Sequence, residues 1–218
     1  MHSLRLPWDA ASRVNVLCLG AHSDDIEIGC GGTVLRLARQ YPNCVFHWVV
    51  FSATGTRAQE AQCAATLFAG ASALKGPLLK DFQDGFMPFV GAEVKAVFEE
   101  LKVVSPDPDL IFTHNRNDAH QDHRLLAELT WNTFRDHLIL EYEIPKYDGD
   151  LGRPGLFVPL DSELCERKVQ YLMDTFVSQR SKRWFQSDTF VSLLRLRGME
   201  CNAPSGYAEA FYCRKLVL

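Results

Sequence analysis

Through the first two-thirds of the chain, short apolar runs alternate with stretches of helical spacing. Residues 14–20, "VNVLCLG", are β-formers closed by a glycine, and they predict a buried strand. "GGTVLRLARQ" then spaces Val34, Leu35 and Ala38 as on one helical face. "VFHWVVFS", residues 45–52, predicts a second buried strand, and the Ala-rich residues 57–71 predict a helix closing near Gly70. Residues 91–104 form an amphipathic helical pattern, stopped by Pro106. A strand follows over "PDLIFTH", a helix over residues 120–135, and a strand over "HLILEYEI". Residues 161–176 predict a helix with Asp161 or Ser162 as its cap. "GPLLKDFQDGFM" reads as turn-rich, and residues 145–159 as a Pro/Gly loop. "DTFVSLLRLR" and "EAFYCRKLVL" read as late strands.

Strand and helix in alternation predict an α/β fold, Rossmann-like, with a mostly parallel sheet and helices on both faces. No internal repeat, low-complexity tract or long linker divides the chain, so residues 1–218 are expected to form a single domain.

Composition narrows the classes. Hydrophobic residues make up 47% and charged residues 23%, enough for a sizeable core, and the formal net charge is -4. No basic footprint for nucleic acid or polybasic membrane anchor is visible. No apolar run reaches the ~18 residues of a membrane span, and the opening residues lack the apolar core of a signal peptide. The 7 cysteines are odd in number and contain no C-x-x-C pair, which fits free thiols in a reducing compartment. The expected location is cytoplasmic.

Two clusters carry the chemistry. "LGAHSDDIEIGCGGT" (residues 19–33) follows the first strand, and "THNRNDAHQDH" (residues 113–123) follows the strand "PDLIFTH". Ligands in open α/β sheets bind outside the carboxyl ends of strands, so both clusters fall on one edge. Together they supply His22, Asp24, Asp25, His114, Asp118, His120, Asp122 and His123. Adjacent carboxylates repel unless a cation lies between them, and imidazole with carboxylate is a common zinc ligand set. His22 with Asp25 and His120 with His123 are spaced i, i+3, one side of a helical turn. Competing readings are plain: Asp24 or Asp25 as a helix cap, or the His-rich segment as a solvated turn. A dinucleotide site fails, because the glycines of "GCGG" come late and the turn itself carries two carboxylates.

These motifs resemble the PIG-L/LmbE-like zinc-dependent de-N-acetylases. The family's first motif, PHPDD with a Glu two residues on, stands here as "AHSDDIE", and its H-P-D-H motif stands as "HQDH". Ala21, Ser23 and Gln121 replace the prolines. "RAQEA", "QDGFM", Lys168 with Ser178–Gln179, and "YAEAF" extend the resemblance over residues 14–211.

The resemblance implies His22, Asp25 and His123 as metal ligands and Asp24 as general base. It implies His120, if protonated, as donor to the oxyanion, with Asp122 raising the pKa of His120. Arg57 and Asp84 would line the sugar site; the plain alternatives are an Arg57–Glu60 pair and a turn role for Asp84. Asp118 and His114 are expected in supporting roles, and His47 in packing. The implied cofactor is Zn2+, and a His/Asp/His set also accepts Fe(II), Co(II) or Mn(II). The expected activity removes an N-acetyl group from an N-acetylglucosamine-type sugar or conjugate. Rival readings are an amidase for another acyl or thiol-conjugate amide, a metallo-phosphoesterase, and a metal-stabilised binding protein. The expected partner is a small amino-sugar substrate, with no nucleic acid or membrane span; a homo-oligomer stays open.

Overall fold

The computed structural model describes residue 3 and residues 6–71, 73–104 and 107–217. Its strands are β1 (Asn15–His22), β2 (Val45–Ser52), β3 (Leu74–Leu79), β4 (Leu110–His114), β5 (Ile139–Tyr142), β6 (Leu156–Leu160) and β7 (Tyr207–Cys213). Its α-helices are α1 (Asp25–Gln40), α2 (Gly55–Ala69), α3 (Gly91–Val104), α4 (Gln121–Thr133), α5 (Ser162–Thr175) and α6 (Ser187–Glu200). All seven strands share one sheet in the order β3-β2-β1-β4-β5-β7-β6. β1 to β5 pair in parallel, and β7 runs antiparallel to both β5 and β6. The expected α/β class and mostly parallel sheet are what the structure shows.

The unbroken apolar runs follow from burial on both faces of the sheet. Along β1, Val16 and Cys18 join one core with α1, α2, α5 and α6, while Leu17 and Leu19 join the other with α3 and α4. β2 divides likewise: Phe46, Trp48 and Val50 on one side, Val49 and Phe51 on the other.

Three segments differ from the sequence reading. Residues 187–200 are helix α6, not a strand, because the buried positions Phe190, Leu194, Arg197 and Gly198 follow helical spacing. β6 rises within the expected Pro/Gly loop, and β3 within the turn-rich stretch. Both are edge strands carrying a proline, Pro159 and Pro77, and an edge tolerates the missing N–H. β3 also carries an extra residue against β2 between His47 and Val49. The late strand spans Tyr207–Cys213 and stops before the final residues. Pro106, and Leu218 of the expected late strand, lie outside the described residues.

The late glycines pack α1 tightly. A Cβ on Gly29 would lie 2.1 Å from the Tyr142 ring, and one on Gly32 would lie 2.4 Å from Leu160. Close approach admits a buried clamp. Lys168 Nζ donates to Ile28 O and to Glu209 Oε1, both at 2.6 Å. Glu209 in turn accepts from the backbone N–H of Gly32 at 2.8 Å and of Thr33 at 2.6 Å. These groups fix the middle of α1, whose first turn carries the site.

Candidate metal centre

β1 and β4 lie side by side, yet the chain leaves β1 for β2 on one flank and β4 for β5 on the other. This is the topological switch point, where the carboxyl ends of neighbouring strands open a crevice. His22 ends β1 and His114 ends β4. Asp24 occupies the N-cap of α1 but makes no side-chain capping bond. Its carboxylate is thus not spent on the helix. Asp25 opens the helix, and its Oδ2 accepts from His22 N at 2.6 Å. His120 is the N-cap of α4, with Asp122 and His123 in the first turn.

Three donor atoms from the two clusters converge. His22 Nδ1 lies 3.2 Å from Asp25 Oδ2 and 3.1 Å from His123 Nε2, and the last two atoms are 3.5 Å apart. Ligands held ~2.0–2.2 Å from a tetrahedral ion lie roughly 3.3–3.6 Å from each other. The triangle therefore has the size of one face of a metal coordination shell. The outer nitrogens are also committed. His123 Nδ1 lies 2.9 Å from Asp118 Oδ2, and His22 Nε2 lies 3.0 Å from Asp84 Oδ1 and 3.3 Å from Asp122 Oδ2. Each outer nitrogen faces a carboxylate able to take its N–H, the arrangement that would free the inner nitrogen's lone pair for a metal. A second donor set, His22, Asp84, His120 and Asp122, surrounds the opposite nitrogen of His22. A neutral imidazole has one lone pair, so His22 serves one set at a time.

The buried charges of the cluster shift one another strongly. Burial works against a charge on His22, but Asp25 and the hydrogen bonds to Asp122, Asp25 and Asp84 raise its pKa well above the ordinary histidine value. Asp25 is buried too, yet the charges of His123, His114 and His22 hold it well below the usual carboxylate range. Burial pushes Asp24 up, and the charge of Asp25 adds to the rise, against the pull of Arg57 and His22. Glu27 is fully buried with neither carboxyl oxygen bonded, and burial raises its pKa well above the ordinary value.

Asp122 does more than act on His120. Its carboxylate accepts from the backbone N–H of Gly85 at 2.7 Å and of Met87 at 3.2 Å, and it faces His22. What it gives His120 is a backbone N–H, 3.3 Å from Nδ1. The charge of Asp122 does favour a protonated His120, but burial and the neighbouring His123 and His22 outweigh it and lower the pKa. With Nδ1 accepting from Asp122 N, a neutral His120 would carry its hydrogen on Nε2.

Arg57 opens toward two carboxylates, 3.5 Å from Asp24 Oδ1 and 3.5 Å from Asp84 Oδ2. The plain alternative, a pair with Glu60, is not formed: Glu60 accepts from Ser178 N at 2.8 Å and from Ser178 Oγ at 2.5 Å. Asp84 precedes the left-handed Gly85 (φ 81°) and also reaches the cluster. His114 lies beneath, its ring stacked on His123 at 3.8 Å, with Nε2 accepting from Ala21 N at 3.0 Å. Burial, with His123 beside it, lowers the His114 pKa to about 4. His47 is half-buried on β2, and burial lowers its pKa.

Two supports escaped the sequence reading. Lys146 binds Asp118 Oδ1 at 3.0 Å, and Tyr142 donates its hydroxyl to Leu19 O at 2.6 Å beside His114. Neither has a local signal, since both partners lie far along the chain. Lys168 and "YAEAF" were visible as motifs, but only the fold shows that Lys168 meets Glu209.

A mostly parallel α/β sheet with a buried His/Asp cluster at its switch point, able to hold a metal ion, defines the class. Residues 17–134 match PIG-L, GlcNAc-PI de-N-acetylase, and the chain belongs to this family. Solved structures share its fold. N,N'-diacetylchitobiose deacetylase from Pyrococcus horikoshii is 18% identical, with a TM-score of 0.67 over 91% of this chain and 83% of that one. The A40926 pseudoaglycone deacetylase Dbv21 is 18% identical, with a TM-score of 0.68 over 93% and 97%. GalB, the 4-carboxy-2-hydroxymuconate hydratase from Pseudomonas putida KT2440, is 16% identical, with a TM-score of 0.70 over 94% and 98%. Deacetylases and a hydratase on one fold mean that function must be argued from the site.

Proposed function

We propose that the protein is a zinc-dependent hydrolase that removes the N-acetyl group from an N-acetylglucosamine-type sugar or conjugate. The observation that carries this reading is the triangle of His22 Nδ1, Asp25 Oδ2 and His123 Nε2, all within 3.5 Å, with the uncapped Asp24 next in sequence. Family membership supports the same chemistry.

In this reading His22, Asp25 and His123 hold the ion. A bound divalent ion supplies Lewis acidity, polarising a carbonyl and making water a better acid. Asp24 takes the proton of the attacking water. Burial and Asp25 strengthen it as a base, and Arg57 orients its carboxylate. His120 donates from Nε2 to the acetamide oxygen as charge builds there, and a neutral ring suffices. Its place at the N-cap of α4 sets the ring's direction. Asp24 then returns the proton to the leaving amine. Asp84 and Arg57 hold sugar hydroxyls at the mouth. Zinc is the metal we favour for this His/Asp/His set; Fe(II) and Co(II) suit the same ligands.

The test is acetate release from free N-acetylglucosamine, its glycosides, nucleotide sugars and inositol conjugates. Zinc-loaded protein is compared with Asp24→Asn. Release by the parent alone supports the proposal. No release from any of them, with zinc shown to be bound, removes the amino-sugar substrate, and equal release by both proteins removes Asp24 as base.

A further inference from the structure

Gln121 stands where the second family motif has proline, and it is the first residue of α4, directly after the N-cap His120. Proline suits that position, because the N–H there has no partner within the helix and φ is already fixed near the helical value. Glutamine therefore brings α4 itself no advantage over proline. What it brings is a side-chain donor: Gln121 Nε2 donates to the backbone oxygen of Gly85 at 3.0 Å.

Gly85 is held on both of its peptides. The Asp84–Gly85 peptide hangs on Asp122, whose Oδ2 accepts from Gly85 N at 2.7 Å, and the Gly85–Phe86 peptide hangs on Gln121. Two consecutive residues of α4 thus grip one residue of the loop. Met87 N adds a bond of 3.2 Å to Asp122 Oδ1, and Phe86 N closes the turn on Gln83 O at 3.1 Å. Gly85 is left-handed, at φ 81°, and a Cβ on it would stand 3.4 Å from Gln121 Nε2. The shape of the turn and its seat on α4 are therefore set together.

Asp84 immediately precedes this grip. Its side chain is 53% exposed, so packing does little to hold it. Even so, its Oδ1 lies 3.0 Å from His22 Nε2 and 3.9 Å from His120 Nε2, and its Oδ2 lies 3.5 Å from Arg57 Nη1. A half-exposed carboxylate is aimed by the backbone that carries it, and each bond that seats this backbone lowers the entropy lost when Asp84 engages a ligand.

Resting on the deacetylase reading, we propose that Gln121 is a positioning residue: it seats the Asp84 turn on α4 and so presents the Asp84 carboxylate to the substrate, a role that proline at this position cannot perform. Gln121 touches neither the donor triangle nor Asp24, so it acts on substrate binding and not on the chemical step.

The test measures acetate release from methyl N-acetylglucosaminide by the zinc-loaded parent, Gln121→Pro and Gln121→Met, each also made together with Asp84→Ala. Expected is a KM raised about two- to tenfold by either substitution, with kcat unchanged, and no further rise where Asp84 is already Ala. An equal rise in both backgrounds, an unmoved KM, or a fall in kcat overturns the proposal. Hydrogen exchange of residues 83–90 reads the turn without substrate. It should quicken in both Gln121 variants, and unchanged exchange also overturns the proposal. If the parent releases no acetate, the amino-sugar reading fails separately, and exchange alone decides: a quickened turn supports the seat that Gln121 provides, and an unchanged one removes it. Thermal melting checks that each variant is folded, and proline at the first position of α4 is expected to leave the helix intact.

Discussion

The Nδ1 nitrogen of His123 lies 2.9 Å from Oδ2 of Asp118, in a buried pair. The other oxygen of Asp118 accepts from His120 N at 2.8 Å, and Lys146 neutralises the carboxylate. One carboxylate thus orients a proposed ligand and the start of α4 together. Replacing Asp118 by Ala frees the ring of His123, and metal affinity is expected to fall about 10- to 100-fold. Chelator competition measures it, and an unchanged affinity would show that His123 does not need this partner.

Asp24 is the residue whose loss should separate chemistry from metal binding. It is uncapped and lies outside the donor triangle. Asp24→Asn is expected to keep a full equivalent of metal and to lose roughly 10²- to 10⁴-fold in kcat, the usual worth of a general base. Metal analysis beside acetate release reads both quantities from one preparation.

The clamp on α1 is expected to matter for stability. Lys168 and Glu209 are both buried, and Glu209 answers two backbone N–H groups besides the ammonium. Removing one partner strands the other charge, a loss of about 3–5 kcal/mol. Lys168→Met and Glu209→Ala should each lower the unfolding free energy from denaturant melts by this much, whereas a small change would mean that water replaces the lost partner.

Asp161 gives a pH dependence away from the site. It caps α5 by accepting from Leu164 N at 2.8 Å and also pairs with Arg39. The Arg39 hydrogen bond, then the Leu164 N–H, hold its pKa below the ordinary aspartate value. A lowered folded pKa adds stability above the unfolded value, and the gain fades as pH falls below about 4. The pair is exposed, so the electrostatic part is under about 1 kcal/mol. Asp161→Asn keeps the cap, so its deficit should be small at pH 7 and vanish near pH 3. Asp161→Ala should cost about 1 kcal/mol at neutral pH through the lost cap. Urea melts at the two pH values test both.

Much of this was legible in the sequence, and the division follows contact range. β1, β2 and β4 are buried on both faces, so their apolar runs stand out without any knowledge of their partners. The His/Asp motifs sit directly after strand ends, and a rule of sheet topology alone places both on one edge. The edge strands β3 and β6 were hidden, because half-exposed strands interrupted by Pro77 and Pro159 look like turns until a neighbour is paired to them. α6 was misread because Val191, Leu193, Leu194 and Leu196 suggest alternation, whereas burial selects Phe190, Leu194 and Arg197.

By itself the sequence determined the fold class and brought the two acidic-histidine clusters to notice as one site. Tertiary structure alone decided that Asp122 also serves Gly85, Met87 and His22, that burial with His123 and His22 outweighs its pull on His120, that Arg57 spans Asp24 and Asp84, and that Lys168 meets Glu209. The physical reason is that a carboxylate takes the nearest donors in space, and for a loop residue those are set by packing between elements far apart in the chain.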